Sequence, residues 1–488
     1  MWLLILVASL FAIFYHYIIK PMNYWKTKNV KYIKPQTVFG LTFPVFPRKK
    51  TKSDDIVNMY KMFPDERYVG TFNFTSPVLL IRDPELLKLI MVKEFHSFSK
   101  HIPLIADNVD PMWNNNLFAI QDIEKWHPVR KFLSPSFTTS KLKNMFTVIK
   151  EHSKEFLERF SDHYDIKEVN IRDLFLKCCL DISAKILYGI NCDFISEPEN
   201  EYCIMGQALN RELNNAKFNL SQNYNIPFLG KKVKRYYQKL ISNMIQTRNG
   251  TETINPSLFG LLATSDCKNS KIEINVDTLS SQAFLYTFTT SDSVSTLMTF
   301  TLYELALNPD VQEKLYKEVH EAMKKRNNNL SYYDLMNLRY LDMVVSESLR
   351  KWPPFVVTDR KTSKPFMIGS ENADQPNLLL EEDTDILIPV KGIHTDPKYY
   401  PNPEKFDPER FNKENRQNIQ DFTYIPFGMG PRNCIALRFA ILECKIVIAE
   451  VINKFKIFAT PKTKEPLVLG KYNFTPTPEE GEVINLAN

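Results

Sequence analysis

The sequence lacks the cysteine pattern of a disulfide-stapled or zinc-bound fold. Its seven cysteines are an odd number, they are scattered along the chain, and no C-x-x-C pair occurs. This spacing argues against a disulfide framework or a zinc site and favours a reducing compartment. The chain also has no internal repeat and no low-complexity tract, so neither a repeat architecture nor a largely disordered chain is predicted.

The charge distribution lacks the dense basic stripe of a nucleic-acid-binding protein. The formal net charge is +6, with 24% charged and 44% hydrophobic residues in a chain of 488 residues. This is an ordinary globular balance in a chain long enough to bury a large core. We therefore expect no nucleic-acid partner.

Long hydrophobic runs are scarce, and only residues 2–19 are apolar enough to cross a membrane. Eighteen residues form a helix of about 27 Å, close to the hydrocarbon thickness of a bilayer. The alternative is a cleaved signal peptide, which requires a basic residue before the run and a small-x-small site after it; neither is present. Five lysines instead follow the run, at positions 20, 26, 28, 31 and 34. The positive-inside rule then places the rest of the chain in the cytosol.

These features predict an N-terminal transmembrane anchor over residues 1–20, a basic, proline-containing linker over 21–52, and a folded domain over 53–488. Apolar residues recur at three- and four-residue spacing over 142–160, 171–187, 233–245, 279–307 and 311–323, which predicts helices. Residues 77–82 and 384–390 are rich in β-forming side chains and predict strands. The fold class is therefore mainly α with small β-sheets.

One segment carries most of the chemical information: Tyr424-Ile-Pro-Phe-Gly-Met-Gly-Pro-Arg-Asn-Cys434. Its two prolines and two glycines disfavour regular structure, and an apolar-periodic helix is predicted to begin at Ile435. Cys434 then lies just before a helix N-terminus. Free amides and the positive helix end are expected to lower the pKa of its thiol. A buried, inert cysteine is the ordinary alternative for such a position.

The order Phe427-x-x-Gly430-x-Arg432-x-Cys434 resembles the haem-binding signature of the cytochrome P-450 superfamily. The resemblance implies that Cys434 is the axial thiolate ligand of the iron of haem b, that Phe427 shields the sulfur, and that Arg432 pairs with a haem propionate. It also implies the cytochrome P-450 fold, with haem between a long distal helix and the helix after the cysteine loop. Ala436 stands where the family usually has glycine, and we expect only a minor packing change there.

A second motif, Glu347-Ser-Leu-Arg350, is followed downstream by Phe406-Asp-Pro-Glu-Arg-Phe411. Alone, an acid and a base three apart on a helix usually form a surface pair of little energetic weight. The set resembles the family's helix-K motif and its partner arginine. The resemblance implies a buried structural triad of Glu347, Arg350 and Arg410 that supports the cysteine loop.

Three further residues resemble the family's propionate donors. Trp126 and Arg130 lie four apart, on one face of a predicted helix, and Arg360 follows Arg350 by ten residues. His101 is a weaker candidate, for which an ordinary surface histidine is the favoured interpretation. His127 is a poorer iron ligand than the cysteine loop.

The segment expected on the oxygen side of the haem departs from the family. Residues 278–307 contain neither glycine nor proline, and Asp277 is the predicted N-cap. Relatives typically have Ala/Gly-Gly-x-Asp/Glu-Thr, and this chain has Thr289-Thr-Ser-Asp-Ser293. Asp292 and Ser293 retain an acid followed by a hydroxyl, the pair implied to relay protons. Thr290 replaces the glycine that opens a groove in relatives. Either the hydroxyl cluster bends the helix in another way, or the branched side chain narrows the oxygen site and weakens activity; the first is favoured.

The resemblance, closest to microsomal insect detoxification members, implies an NADPH-dependent monooxygenase that oxidises apolar small molecules. Implied partners are NADPH-cytochrome reductase, a cytochrome b-type donor and the endoplasmic reticulum membrane, with the catalytic domain facing the cytosol. Two alternatives remain: a haem-thiolate isomerase or dehydratase acting on peroxides, and a non-catalytic haem-binding protein.

The sequence does not identify the substrate. The residues expected to line the pocket are 98–118, 218–228, 284–292 and 355–357. Basic residues expected near the donor are Lys125, Lys131, Lys141, Lys143, Arg438 and Lys445.

Overall fold

The computed structural model of the chain describes residues 2–34, 51–73, 75–106, 108–163, 168–214, 226–227, 229–247, 257–264, 275–370, 377–471, 473–479 and 483–487. Within these residues the chain forms two compact units. The first comprises Met1–Ile102, Val356–Pro401 and Gln420–Asn433, and the second comprises Pro103–Phe355, Asn402–Ile419 and Cys434–Asn488.

The first unit combines short helices with two sheets. Its helical segments are Trp2–Phe14, Tyr15–Ile19, Lys20–Met22, Tyr24–Thr27, Lys52–Lys61, Pro84–Lys88, Leu89–Lys93, Phe95–Ser97 and Val390–His394. The larger sheet has the strand order Tyr68–Asn73, Ser76–Ile81, Asp385–Ile388 and Thr358–Lys361, and the smaller pairs Phe366–Ile368 with Leu378–Leu380. Both strands expected from β-rich sequence are present, within one or two residues of their predicted bounds.

An indole ring fixes the start of the folded part of this unit. Trp25 is fully buried, and its Nε1–H donates to the Thr71 carbonyl oxygen at 2.8 Å. A Cβ at Gly70 would lie 2.4 Å from the Trp25 ring, so only glycine lets the first strand pass under the indole.

The N-terminal segment is continuously helical over Trp2–Met22, and none of its residues is buried. Most of its large apolar side chains are exposed. Among the described residues it is the one helix that is long and apolar enough to cross a membrane. Residues 35–50 of the predicted linker lie outside the described residues, and the predicted boundaries 1–20, 21–52 and 53–488 stay a prediction.

The second unit is mainly helical. Its helices are Pro111–Asn114, Ile123–Leu133, Ser134–Phe137, Thr139–His163, Ile171–Ser183, Ala184–Tyr188, Glu201–Leu213, Lys231–Thr247, Leu258–Thr264, Val276–Phe288, Thr289–Ser293, Val294–Leu307, Pro309–Lys325, Tyr332–Met336, Arg339–Lys351, Pro408–Phe411, Arg416–Asn418 and Leu437–Lys454. One small sheet has the strand order Val169–Asn170, Val483–Ala487 and Lys456–Ala459. Every helix predicted from apolar periodicity is present, so the expectation of a mainly α fold with small sheets is confirmed.

Two predicted helix starts were wrong by two residues. The N-cap of the long helix is Asn275, whose Oδ1 accepts from the Thr278 N–H at 2.9 Å, and Asp277 lies in the first turn instead. Asn and Asp are about equally good N-caps, so sequence alone does not separate the two positions. The helix after Cys434 begins at Leu437 rather than Ile435.

Glu443, on the helix Leu437–Lys454, provides a test of the core of this unit. Burial raises the pKa of its carboxyl to about 8, and the Cys179 thiol opposes this shift only partly. The folded state therefore holds a proton that the unfolded chain releases near pH 4.5. The buried carboxyl therefore does not lower the free energy of unfolding below pH 4.5. Its unfavourable contribution grows as the pH rises from 4.5 to 8 and is constant above pH 8.

We expect Glu443→Met to raise the free energy of unfolding at pH 7 by about 3 kcal/mol, and to flatten its pH dependence between pH 4.5 and 8. Denaturant unfolding at a series of pH values measures both. An unchanged pH dependence would show that the carboxyl is ionised in the folded protein.

Candidate active site

The cysteine loop leads out of the first unit in a tight backbone path. Gly428 and Gly430 have φ of +68° and +74°, a region that favours glycine. A Cβ at Gly430 would lie 1.9 Å from the Met91 carbonyl oxygen, so no other residue fits there. The Asn433 N–H donates to the Gly430 carbonyl oxygen at 3.0 Å, and Phe427 is half-buried.

A compact group of charges lies beside this loop in the same unit. Asp359 contacts His101 Nδ1 at 3.3 Å, and the Arg360 Nη1–H donates to the Asp359 carbonyl oxygen at 2.6 Å. Arg360 also donates to the Met429 carbonyl oxygen at 3.3 Å, and the Arg432 Nε–H donates to the Ser99 carbonyl oxygen at 3.0 Å. The backbone of the loop is thereby tied to two guanidinium groups.

His101 was expected at the surface, and that expectation was wrong: the side chain is buried. Burial lowers the pKa of His101, against the opposing effect of Asp359. Burial also lowers the pKa of Arg360 to about 10. Although burial acts to raise it, the neighbouring His101 holds the pKa of Asp359 below its usual value.

These charges fit the carboxylate groups of a haem. Arg360 is almost fully buried, and its Nε has no hydrogen-bond partner within the described part of the chain. The group contains two guanidinium groups, Arg360 and Arg432, and one carboxylate, Asp359. A buried donor of this kind calls for an anionic acceptor, and guanidinium groups bind carboxylates well.

Cys434 begins the last segment of the second unit. Its side chain is exposed, yet surrounding protein atoms crowd the sulfur. Burial raises the pKa of the thiol, while the Ala436 backbone N–H and the Arg130 guanidinium act in the opposite direction. The pKa of the free thiol is thus raised rather than lowered as expected, although the Ala436 N–H and Arg130 both act to lower it. Ala436 has φ of −99°, which any residue adopts, so the missing glycine requires no backbone strain.

The predicted donor pair Trp126 and Arg130 lies on the helix Ile123–Leu133 of the second unit, with the indole buried and the guanidinium half-buried. Burial lowers the pKa of Arg130, and Cys434 opposes this shift. Arg130 is thus close enough to the cysteine sulfur to interact with it electrostatically.

The structure brings the predicted triad together in the second unit. Arg350 and Glu347 are fully buried and form two hydrogen bonds, at 2.7 and 2.9 Å. Arg410 Nε lies 3.4 Å from the same carboxylate. Arg350 also donates to the Pro403 carbonyl oxygen at 2.7 Å, and the Asp407 N–H donates to Glu347 at 3.0 Å. The triad therefore holds the segment Asn402–Ile419 onto the helix Arg339–Lys351.

The long distal helix is interrupted by one π-helical turn, Thr289–Ser293, between Val276–Phe288 and Val294–Leu307. Four hydroxyl groups in this turn donate to carbonyl oxygens four residues earlier: those of Thr289, Thr290, Ser291 and Ser293. Such bonds compete with the backbone ladder and bend helices. The distortion that glycine allows in relatives is present here in a hydroxyl-rich sequence, as the favoured interpretation expected.

Asp292 is fully buried in the π turn and is bound on several sides. It accepts from Arg172 Nη2 at 2.5 Å, from Asn214 Nδ2 at 3.0 Å and from the Thr475 hydroxyl at 2.6 Å. Sequence reasoning missed all three partners. They lie 120, 78 and 183 residues away along the chain, and no local pattern relates them to the π turn.

The expected basic docking residues differ in exposure. Lys125, Lys131, Lys141 and Arg438 are exposed, and Lys143 is half-buried and bonds the Tyr333 hydroxyl. Lys445 was wrongly expected at the surface: its side chain is fully buried and lies 3.7 Å from Asp342. Lys445 lies on the buried side of the helix Leu437–Lys454, and the Asp342 carboxylate compensates its charge.

The six cysteines within the described ranges are free thiols. Asp181, Cys192 and Cys203 nevertheless form a buried cluster whose donor atoms lie within 4.8 Å of one another. The two sulfur atoms are 2.8 Å apart, whereas two thiolates on one tetrahedral zinc are separated by roughly 3.8 Å. The cluster as it stands is too tight for that ion.

The described residues thus define a mainly helical protein with small sheets, a cysteine that follows a glycine-containing loop, and a long helix interrupted by a π turn. The Cytochrome P450 family model matches residues 36–484. Cytochrome P450 9e2 of Blattella germanica is 35% identical, with 99% of this chain and 97% of the relative covered. Probable cytochrome P450 9f2 of Drosophila melanogaster is 31% identical, with 99% and 98% covered, and Cytochrome P450 6k1 of Blattella germanica is 30% identical, with 96% and 93% covered.

The chain belongs to the cytochrome P450 family. It therefore has the family fold and is a haem monooxygenase. The resemblance stated from the cysteine loop is confirmed, and these relatives are insect proteins, as that resemblance expected.

Proposed function

We propose that this protein is an NADPH-dependent haem-thiolate monooxygenase that oxidises apolar small molecules with electrons delivered by NADPH-cytochrome reductase. The observation that carries the proposal is the placement of Cys434. Its thiol is exposed at the start of the helix Leu437–Lys454 and interacts electrostatically with Arg130. A soft sulfur ligand presented in this way suits iron.

The cofactor is proposed to be haem b, with Cys434 as the metal ligand. Thiolate-ligated haem supplies reductive activation of O2 and insertion of one oxygen atom into the substrate. Guanidinium and indole donors of the chain would bind the haem carboxylates, and an aromatic ring would shield the cysteine sulfur. The residues proposed for these contacts are Trp126, Arg130, Arg360, Phe427, Gly430, Arg432 and Ala436.

Asp292 and Ser293 are proposed to relay protons on the oxygen side of the haem. The Asp292 carboxylate is fixed by Arg172, Asn214 and Thr475, so it holds one position rather than moving with the solvent. The Ser293 hydroxyl donates to the Thr289 carbonyl oxygen at 2.5 Å, which orients its oxygen as an acceptor. Such fixed groups can pass a proton without reorganising first.

Thr290 is proposed to replace the family's glycine without loss of activity. The helix distortion that glycine would allow is already present with Thr290, because the π turn exists in this sequence. Removing the branched side chain therefore changes the backbone little. We expect Thr290→Gly to change product formation by less than about threefold, well below the effect of losing a proton-transfer group. Product formed per NADPH consumed is the measurement, with Thr290→Ser as the control that keeps the hydroxyl. A large gain in both rate and coupling would show that Thr290 narrows the oxygen site.

The proposed location is the endoplasmic reticulum membrane, through the single apolar helix Trp2–Met22. The lysines at positions 20, 26, 28, 31 and 34 support an orientation with the catalytic domain in the cytosol. A bilayer is then the first partner. The reductase, with a cytochrome b-type donor as the second electron source, is proposed to dock where Lys125, Lys131, Lys141 and Arg438 are exposed.

The test is reconstitution of the purified full chain with an insect NADPH-cytochrome reductase in lipid vesicles, with apolar substrates and ¹⁸O-labelled O2. We expect one labelled oxygen atom in the product and strict dependence on NADPH and reductase. Turnover of hydroperoxides with no requirement for NADPH would identify a peroxide isomerase or dehydratase. A stable haem spectrum with no product from any substrate class would identify a non-catalytic haem-binding protein.

A further inference from the structure

Tyr286 has a buried hydroxyl group that has no role in the site residues proposed for the haem. It lies in the helix Val276–Phe288, one turn before the π segment, with only 5% of its surface exposed. Its hydroxyl oxygen is shielded from solvent and has no hydrogen-bond partner among the described residues. Buried hydroxyl groups are nearly always paired, so an unpaired one in a folded protein calls for an explanation.

The neighbours of this hydroxyl are informative. Tyr286 interacts electrostatically with Arg130 and with Cys434, and Arg130 in turn interacts with Cys434. The phenol, the guanidinium and the thiol therefore share one neighbourhood within the second unit. The ring also contacts two aromatic rings, Phe137 at 6.0 Å and Phe259 at 5.8 Å between centroids.

Hydrogen-bond chemistry restricts what can satisfy this group. A guanidinium has only donors, so Arg130 cannot accept the phenolic proton. The O–H of Tyr286 needs an acceptor close to Arg130. A carboxylate has two oxygens and can accept from a guanidinium and a phenol at the same time.

We propose that Tyr286 is a further cofactor-binding residue, whose hydroxyl donates to the same haem carboxylate that Arg130 binds. This inference rests on the proposed role of Arg130. Tyr286 would then be a positioning residue that holds the cofactor from the distal helix, in addition to the donors on the helix Ile123–Leu133.

Tyr237 offers a matched control in the same unit. It is a fully buried tyrosine whose hydroxyl lies near the Thr287 side chain. Unlike Tyr286, it shows no electrostatic interaction with Arg130 or Cys434. Both residues are therefore buried tyrosines of the second unit, and only Tyr286 lies near Arg130 and Cys434.

The experiment measures transfer of haem from the purified holoprotein to an excess of apomyoglobin, for wild type, Tyr286→Phe and Tyr237→Phe. We expect Tyr286→Phe to release haem about tenfold faster, the factor of one hydrogen bond to a charged group. Tyr237→Phe is expected to release haem at the wild-type rate. Equal rates for all three proteins, or equal acceleration by both substitutions, would overturn the proposal.

A double variant tests whether the two donors share one carboxylate. We expect Tyr286→Phe to accelerate release less in an Arg130→Lys background than in wild type, because the two contacts are coupled. Independent, multiplicative effects would show separate partners and would overturn the shared carboxylate. A shifted reduction potential with unchanged haem release would show that the hydroxyl donates to the Cys434 sulfur instead.

Failure of this inference is distinguishable from failure of the proposed function. Wild-type protein that lacks the reduced-plus-carbon-monoxide spectrum of a thiolate-ligated haem would overturn the function. An intact spectrum with unchanged haem release in Tyr286→Phe would overturn the inference alone.

Discussion

Replacing Cys434 by serine is expected to abolish monooxygenase turnover. A serine hydroxyl is not ionised near neutral pH and is a hard, weak ligand, so it neither holds the iron nor donates electron density as a thiolate does. We expect NADPH-dependent product formation to fall at least a thousandfold, roughly the scale of loss when an essential catalytic group is removed. Product yield and haem content per chain are the two measurements.

The control is Cys444→Ala, in the helix Leu437–Lys454 that follows the cysteine loop. Cys444 is fully buried and burial raises the pKa of its thiol, so it is inert and serves packing. We expect its replacement to keep turnover within about threefold while costing some stability. Loss of turnover in the Cys444 variant together with normal turnover in the Cys434 variant would reverse the assignment of the iron ligand.

Replacing Glu347 by glutamine is expected to unfold or strongly destabilise the protein. The carboxylate compensates two cations, Arg350 and Arg410, and Arg350 is fully buried. Breaking a buried ion pair from one side leaves a charge without compensation, which costs about 3–5 kcal/mol. Thermal and denaturant unfolding of the purified protein measure the loss, and the yield of haem-loaded protein is expected to fall with it.

A surface pair provides the comparison. Glu313 and Lys317 lie 3.3 Å apart on the helix Pro309–Lys325, with both side chains more than half exposed. We expect Glu313→Gln to change the free energy of unfolding by less than about 0.5 kcal/mol. Equal effects of the two substitutions would show that Glu347 is solvated and that the triad has no special structural role.

The features that the sequence predicts well depend on residues close together in the sequence. The turn around Gly428 and Gly430 follows from local chemistry, because both residues have a positive φ, which favours glycine. The pair Glu347 and Arg350 is equally local, since residues three apart on a helix face the same way. The helices themselves follow from apolar periodicity, with starts displaced by one or two residues.

What the sequence does not predict depends on contacts between distant segments. The environment of Asp292 is set by Arg172, Asn214 and Thr475, none of which lies near it along the chain. Lys445 was expected at the surface because lysine usually is, but an Asp342 partner keeps it inside. The pKa of Cys434 follows the same rule: the helix end was visible in the sequence, and the crowding around the sulfur was not.

The π turn falls between these cases. The hydroxyl-rich run Thr289–Ser293 indicated that side chains would bond back to the helix, and four of them do so. The position of the π turn could not be predicted from the sequence, because several neighbouring hydroxyl groups compete for the same carbonyl oxygens. A polar stretch in a buried helix without glycine is thus a useful indication of a helix distortion.

The account depends on the sulfur of Cys434 as the iron ligand, and the reduced-plus-carbon-monoxide absorption spectrum of the purified protein tests this most directly. We expect the red-shifted Soret band of a thiolate-ligated haem in wild type and no such band in Cys434→Ser. An identical band in both proteins would contradict the account.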